Sequence, residues 1–178
     1  YTIVLPLGLL LLFFTFFIVK QQSAAIVERF GKFVSVRQSG LQLKIPLIDN
    51  VAGRLSLRIQ QLDVVVETKT KDDVFVKLKV SVQFKVIKDK VYDAFYKLDN
   101  PADQITSFIF DVVRAEVPKL ILDDVFIKKD DIAIAVKGEI QEAMTEYGFQ
   151  IIKTLVTDID PDAQVKESMN RINASERE

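Results

Sequence analysis

Three residue types are absent from this chain of 178 residues, which contains no cysteine, no histidine and no tryptophan. Without cysteine or histidine, the sequence excludes Cys-His and Ser-His-Asp catalysis, thiolate zinc sites and haem ligation by those residues. It also excludes disulfides, so cysteine usage indicates no redox compartment. Carboxylate chemistry stays open, because aspartate and glutamate are plentiful.

Glycine is scarce, and neither sign of charge dominates. The six glycines are scattered, and neither GxGxxG nor GxxxxGK[ST] occurs, so the sequence predicts no phosphate loop. The formal net charge is −1, which gives no general attraction to nucleic acid. We therefore expect no cofactor and no nucleic-acid partner.

A long apolar run occupies the start of the chain, with no charged residue before Lys20. As a helix, residues 1–19 would cover about 28 Å of a hydrocarbon core that is about 30 Å thick. The run is longer than the apolar core of a signal peptide, and a buried helix that is apolar on every face needs a large protein around it. It predicts a membrane-spanning helix over residues 1–19. The side chains expected to span the membrane are Ile3, Leu5, Leu9, Leu10, Phe13, Phe14, Phe16, Phe17 and Val19.

Short strands separated by turns are predicted over residues 24–66. Within residues 54–67 the apolar positions change from odd to even numbers across Gln60 and Gln61. This change predicts a β-bulge there, or else a strand that is apolar on both faces. From Val74 to Val86 every even position is apolar, and three odd positions are lysine. That pattern predicts a long antiparallel strand with one wet face.

Helices follow, and their ends are marked. Asn100 and Pro101 are a typical N-cap and first helical residue, and Gly148 is a typical C-cap for a helix that begins at Asp130 or Asp131. A returning strand at residues 149–159 completes the series. Strands, then helices, then a strand favour an α+β fold over a parallel α/β sheet.

The last residues form a charged segment with a narrow apolar seam. Val165, Met169 and Ile172 recur at helical spacing after Pro161. Such a seam predicts the start of a coiled coil or an interface helix.

Paired carboxylates are the remaining candidates for chemistry. The pairs at 72–73, 123–124 and 130–131 are adjacent in sequence, so their side chains point in different directions. Asp123 and Asp124 lie between two predicted helices, where capping is the usual role. Asp158, Asp160 and Asp162 alternate as in a calcium loop, but the EF-hand glycine and closing glutamate do not follow. We predict no catalytic residue and no metal site.

Several spaced motifs follow one another along the chain. They are ERFGKF at 28–33, SGL at 39–41, IPL at 45–47, RLSLRIQQLDV at 54–64, VRAEVP at 113–118, LDDV at 122–125, YGF at 147–149 and DIDP at 158–161. In these motifs and their order the chain resembles the stomatin/prohibitin/flotillin (SPFH, or band 7) superfamily. Residues 60–64, 67–72 and 93–98 are most similar to the plant hypersensitive-induced-reaction branch, whereas the apolar N-terminus is similar to that of bacterial stomatin-like proteins.

The resemblance implies a membrane-proximal α+β subdomain at residues 20–73, a second at residues 74–160, and the start of a coiled-coil rod at residues 161–178. It implies a non-enzymatic scaffold that assembles into a large ring or cage on the bilayer and segregates membrane proteins. A regulatory subunit that restrains a membrane-bound AAA protease or a channel is the alternative. In some relatives the first subdomain also dips apolar residues into the headgroup region. The candidates for this role, which ordinary strand core explains as well, are Leu41, Leu43, Ile45, Leu47 and Ile48.

The predicted partners are the bilayer, copies of the chain and a membrane protease or other membrane protein. Lys20, Arg29, Lys32 and Arg37 follow the apolar run closely, and the positive-inside rule then favours a cytosolic domain. With the bacterial resemblance, this predicts a single-pass protein of a bacterial inner membrane.

Overall fold

A computed structural model describes residues 2–161 and 163–176, with the backbone alone for residues 163–166. Within these residues the chain forms six α-helices and eight β-strands, joined by turns and two short 3-10 helices. The helices α1 to α6 are Val4–Thr15, Val91–Tyr96, Pro101–Glu116, Leu122–Ile127, Lys129–Glu146 and Ala163–Ser175. The strands β1 to β8 are Phe16–Val19, Ser23–Arg29, Lys32–Arg37, Gly40–Leu43, Asp49–Ser56, Gln60–Lys69, Phe75–Val86 and Phe149–Pro161.

The chain divides into two compact units, each assembled from three separate stretches. The first unit is Tyr1–Ile59, Lys85–Asp99 and Tyr147–Phe149, and the second is Gln60–Phe84, Asn100–Glu146 and Gln150–Glu178. The contiguous division predicted at residues 20–73 and 74–160 differs from this one. The reason is that β6 pairs with β7 along its whole length and therefore belongs with the second unit.

The first unit contains a three-stranded sheet in the order β3-β2-β5 and a two-stranded ribbon of β1 and β4. The central strand β2 buries four consecutive residues, from Ala24 to Val27. Consecutive residues of a strand point to opposite faces, so β2 is covered on both sides. Gly53 in β5 leaves room for the ring of Phe95, because a Cβ there would lie 2.4 Å from Phe95 Cε2.

The second unit is built on a sheet in the order β6-β7-β8, with α3 against β6 and α5. The antiparallel pairing of β6 with β7 runs without a register shift from Gln60 opposite Phe84 to Lys69 opposite Phe75. The even positions of β7 are buried from Val76 to Val86, as their alternation predicts. Strands and helices are segregated in the order expected, and the α+β prediction is confirmed.

The predicted helix over residues 1–19 is wrong in its last four residues. The helix α1 ends at Thr15, and Phe16–Val19 is a strand whose residues pair antiparallel with β4. Aromatic and β-branched residues favour strands, and β4 supplies hydrogen-bond partners that a bilayer lacks. Val19 is only 2% exposed and contributes to the core of the first unit. In the part of the chain that is described, no helix is long and apolar enough to cross a membrane.

The predicted β-bulge at Gln60 and Gln61 is also wrong. The chain leaves strand structure at residues 57–59, between β5 and β6, and these two strands belong to different units. The apolar positions therefore change from odd to even between two strands of different units. A change of face within one strand is not needed.

Two predicted helix ends are confirmed, and a third has an unexpected cap. Asn100 Oδ1 accepts a hydrogen bond from Asp103 N at the start of α3, and Gly148 follows α5 with φ = 86°. At the start of α4, Asp123 lies in the first turn. In place of the predicted cap from Asp123 or Asp124, the amide of Leu122 donates a hydrogen bond to Asp72 Oδ1 at 3.2 Å. A carboxylate fifty residues away in sequence thus satisfies this helix end.

Gly148 has no room for a side chain, which gives a stability prediction. A Cβ would lie 2.5 Å from Lys90 O, and φ is in the left-handed region. We expect Gly148→Ala to lower the free energy of unfolding by about 1–3 kcal/mol, measured by urea unfolding. The matched control is Gly138→Ala within α5, where nothing lies within 4 Å. That change should add about 0.5–1 kcal/mol, and a Gly148→Ala chain as stable as the control would contradict the geometry.

Candidate membrane-contact surface

The helix α1 has no buried side chain, although it is almost entirely apolar. Its residues Leu9, Leu12 and Phe13 are all more than half exposed, and Phe13 reaches 79%. An apolar helix with no polar face cannot be stable in water by itself, because nothing in one copy removes it from solvent. Lipid or another protein must cover it.

The ribbon of β1 and β4 extends this exposed face. Phe16 lies opposite Leu43 and Ile18 lies opposite Leu41, and side chains of directly opposite residues share one face of an antiparallel pair. All four side chains are exposed. Between α1 and the ribbon is an apolar groove lined by Leu9, Leu12, Phe13, Phe16, Phe17, Ile18 and Leu41.

A loop at residues 44–48 continues the face beyond β4. It carries Ile45, Leu47 and Ile48, and the side chain of Leu47 is 92% exposed. The amide of Lys44 donates to Thr15 O at 2.8 Å, which ties the loop to the end of α1. Leu41 and Leu43 are exposed as well, so all five residues predicted to dip into the headgroup region lie outside the core. The alternative explanation of these residues as ordinary strand core is wrong. We call the exposed apolar residues of α1, β1, β4 and this loop the apolar surface.

Asp49 holds the loop in place. Its carboxylate receives Arg29 Nε at 2.7 Å and Arg29 Nη2 at 3.3 Å, and the amide of Ile45 donates to it at 3.0 Å. Its own amide donates to Ile45 O at 2.9 Å, and its side chain is 2% exposed. The hydrogen bond from Arg29, followed by that from Ile45, lowers the pKa of Asp49. The hydrogen bond to Asp49, followed by its negative charge, raises the pKa of Arg29. Charge-assisted bonds of this kind are stronger than neutral ones.

One exposed aromatic residue near the loop was not predicted as a functional residue. Phe30 forms the turn between β2 and β3 with Gly31, has φ = 50° and is 82% exposed. Because Arg29 pairs with Asp49 across the sheet, the turn lies at the same end of the sheet as the loop. Asn or Asp is usual at this turn position, so a phenylalanine there was the signal available from the sequence. An exposed aromatic side chain on a strained backbone makes Phe30 a candidate functional residue.

The residues predicted for the coiled-coil seam lie on or near α6. Met169 is half-buried and Ile172 is 58% exposed, and neither is in the core of the second unit. The side chain of Val165 lies outside the described residues. Among the described residues no group of His, Cys, Asp or Glu could hold a metal ion.

Comparison with known proteins identifies the chain at the level of its family. Residues 17–178 match the model described as "SPFH domain / Band 7 family". The chain belongs to the SPFH domain / Band 7 family. The resemblance read from the motifs is thereby confirmed.

Relatives of this SPFH chain occur in plants and animals. It is 46% identical over 160 residues to hypersensitive-induced response protein 4 of Arabidopsis thaliana. The matched region covers 89% of this chain and 55% of the plant protein. It is 28% identical over 160 residues to the mitochondrial stomatin-like protein 2 of Homo sapiens, with coverage of 89% and 44%. Stomatin-like protein stl-1 of Caenorhabditis elegans is also 28% identical, with coverage of 89% and 49%. The chain spans about half the length of these relatives.

The buried carboxylate of this SPFH domain gives a pH prediction. Since the pKa of Asp49 is lowered in the folded state, its contribution to stability is present at neutral pH and is lost as the pH falls through that lowered value. Asp49→Asn should lower the urea midpoint at neutral pH and should weaken the further loss of stability in acid. The exposed Asp99→Asn is the control and should leave both unchanged. An Asp49→Asn chain with the wild-type midpoint and acid sensitivity would refute the role assigned to this carboxylate.

Proposed function

We propose that this protein is a membrane-associated scaffold whose apolar surface enters the lipid bilayer and whose copies assemble laterally. The observation that carries the proposal is α1, an apolar helix without a single buried side chain, continuous with an exposed apolar ribbon and loop. Proteins of the SPFH family are generally membrane-associated scaffolds, which supports this interpretation. Contiguous exposed apolar surface of this extent is typical of a membrane or protein contact.

The length of α1 favours insertion into one leaflet. Twelve helical residues cover about 18 Å, slightly more than half of a hydrocarbon core about 30 Å thick. Basic residues lie at the border of the surface, as expected where protein meets lipid headgroups. Arg54 Nη1 donates to Ile18 O at 2.6 Å, and its guanidinium lies 6.0 Å from the centre of the Phe17 ring.

Lateral assembly is supported by apolar residues outside the apolar surface. Ile127 and Ile134 in the second unit are exposed, as is Ile172 on α6. Family members generally self-oligomerise. Many weak contacts between copies held on one membrane act together, because anchoring raises their effective concentration. We propose that a large ring or cage forms in this way and segregates membrane proteins, and that the protein catalyses no reaction itself.

Membrane association can be tested on one face of α1. Leu9→Ser with Phe13→Ser removes two side chains one helical turn apart, each with a burial free energy of about 1.5–3 kcal/mol. The partition coefficient onto phosphatidylcholine vesicles, measured by flotation, should fall about a hundredfold or more. The matched control is Val65→Ser with Phe75→Ser, which are more than half exposed in the second unit and should keep wild-type binding. Equal losses in both double variants would contradict the assignment of the apolar surface.

Self-assembly can be tested on α6. The wild-type full-length protein should form a very large homo-oligomer in mild detergent, and Met169→Glu with Ile172→Glu should reduce its mass, as seen by mass photometry. Asn170→Glu with Asn173→Glu adds the same charge at the same spacing away from the seam and should leave the mass unchanged. A monodisperse wild-type monomer or dimer would contradict the scaffold proposal.

Purification of the protein with and without crosslinking distinguishes the scaffold from the alternative function, a regulatory subunit of a membrane protease. A scaffold needs no stoichiometric second protein, whereas a regulatory subunit of a membrane protease does. Recovery of such a protease in fixed ratio would favour the regulatory function.

A further inference from the structure

A cationic pocket opens at the edge of the apolar surface. It is lined by Arg29 from β2, Arg37 from β3, Lys44 and Ile45 from the loop, and Leu43 and Asp49. The end of α1 also contributes to the rim through Thr15. The pocket therefore combines three basic side chains with apolar side chains that belong to the apolar surface.

The positive charge of this pocket is only partly compensated. Asp49 is the one carboxylate among its described lining residues, and Arg29 is paired with it. Neither Arg37 nor Lys44 forms a side-chain ion pair within the described part of the chain. Three basic side chains and one carboxylate thus leave a net positive charge in a pocket that borders the apolar surface.

Arg37 carries a second and independent signal. Its Nε atom is buried and has no hydrogen-bond partner among the described residues. Buried polar groups in native proteins are nearly always hydrogen-bonded, so the missing partner means that no group of the described chain fixes this guanidinium through Nε. A guanidinium presents its donors as a planar fork that matches the oxygens of a phosphate, and an ammonium adds a compact charge beside it.

We propose that this pocket binds the phosphate group of an anionic phospholipid headgroup. This rests on the proposed membrane association, because the apolar surface brings the pocket to the lipid–water boundary. Leu43 and Ile45 then contact the acyl region while Arg37 and Lys44 bind the phosphate. Continuity with the apolar surface favours a lipid over a free anion, since a soluble phosphate gains nothing from the apolar rim.

The test is flotation of the full chain with vesicles of phosphatidylcholine, alone or mixed with phosphatidic acid. The measured quantity is the ratio of the two partition coefficients. Wild-type protein should prefer the acidic vesicles, and Arg37→Gln should reduce that ratio about tenfold. Lys44→Gln, whose backbone bond to Thr15 is unaffected, should reduce it about fivefold. Circular dichroism checks that both variants are folded.

Two controls distinguish specific binding in the pocket from general electrostatic attraction to acidic vesicles. Arg58→Gln removes the same charge from the same unit outside the pocket lining and should change the ratio less than about twofold. Arg37→Lys keeps the charge but loses the fork, so it should still lose several-fold preference. If Arg37→Lys and Lys44→Gln both keep the wild-type ratio, the pocket assignment is overturned.

The remaining outcomes show whether the pocket binds a lipid phosphate or a free anion. They also show whether only this inference fails or the proposed membrane association fails with it. Saturable binding of inorganic phosphate that Arg37→Gln abolishes, without any preference of the wild-type chain for acidic vesicles, would show a site for the free anion and overturn the lipid assignment. Wild-type binding to both kinds of vesicle without preference would overturn this inference and leave the proposed function intact. Absence of binding to either vesicle would overturn the membrane association itself.

Discussion

The ion pair of Asp49 with Arg29 is the contact on which the apolar surface depends. It joins β5 to β2 at one end of the first sheet, and the same carboxylate accepts the amide of Ile45. The loop so fixed is tied through Lys44 to the last residue of α1. One buried carboxylate therefore connects the sheet, the loop and, through a single further hydrogen bond, the helix.

The position of this pair explains how apolar residues stay exposed without disordering the unit. Leu47 and Phe30 both have positive φ, which costs free energy in a residue with a side chain. Such conformations persist only where the surroundings fix them, and the Arg29–Asp49 pair lies beside both. The core of β2 supplies the stability, while the sheet end displays residues that do not contribute to it.

Much of the fold follows from local pattern, and the failures have specific causes. The alternation in β7 and the Asn100 cap depend on neighbouring residues, so the sequence predicts them correctly. The helix end at Thr15 depends on pairing with β4, which begins more than twenty residues later. The cap on α4 comes from Asp72, and no spacing rule relates it to Leu122. The apolar run at the start predicts a membrane-spanning helix and misses the strand at its end, because hydropathy does not distinguish a strand that joins a sheet from the end of a helix.

The junction between α1 and β1 has a mechanical consequence. No residue separates Thr15 from Phe16, and the carbonyl of Thr15 is bonded to Lys44, so the helix meets its folded unit without a linker. A tether of flexible residues would let each unit swivel freely above the bilayer. The direct joint instead restricts the tilt and the azimuth of the unit relative to α1, the helix proposed to enter the bilayer. In the assembly proposed above, neighbouring copies on one membrane would meet with much of their rotational freedom already removed, so less entropy would be lost when they associate.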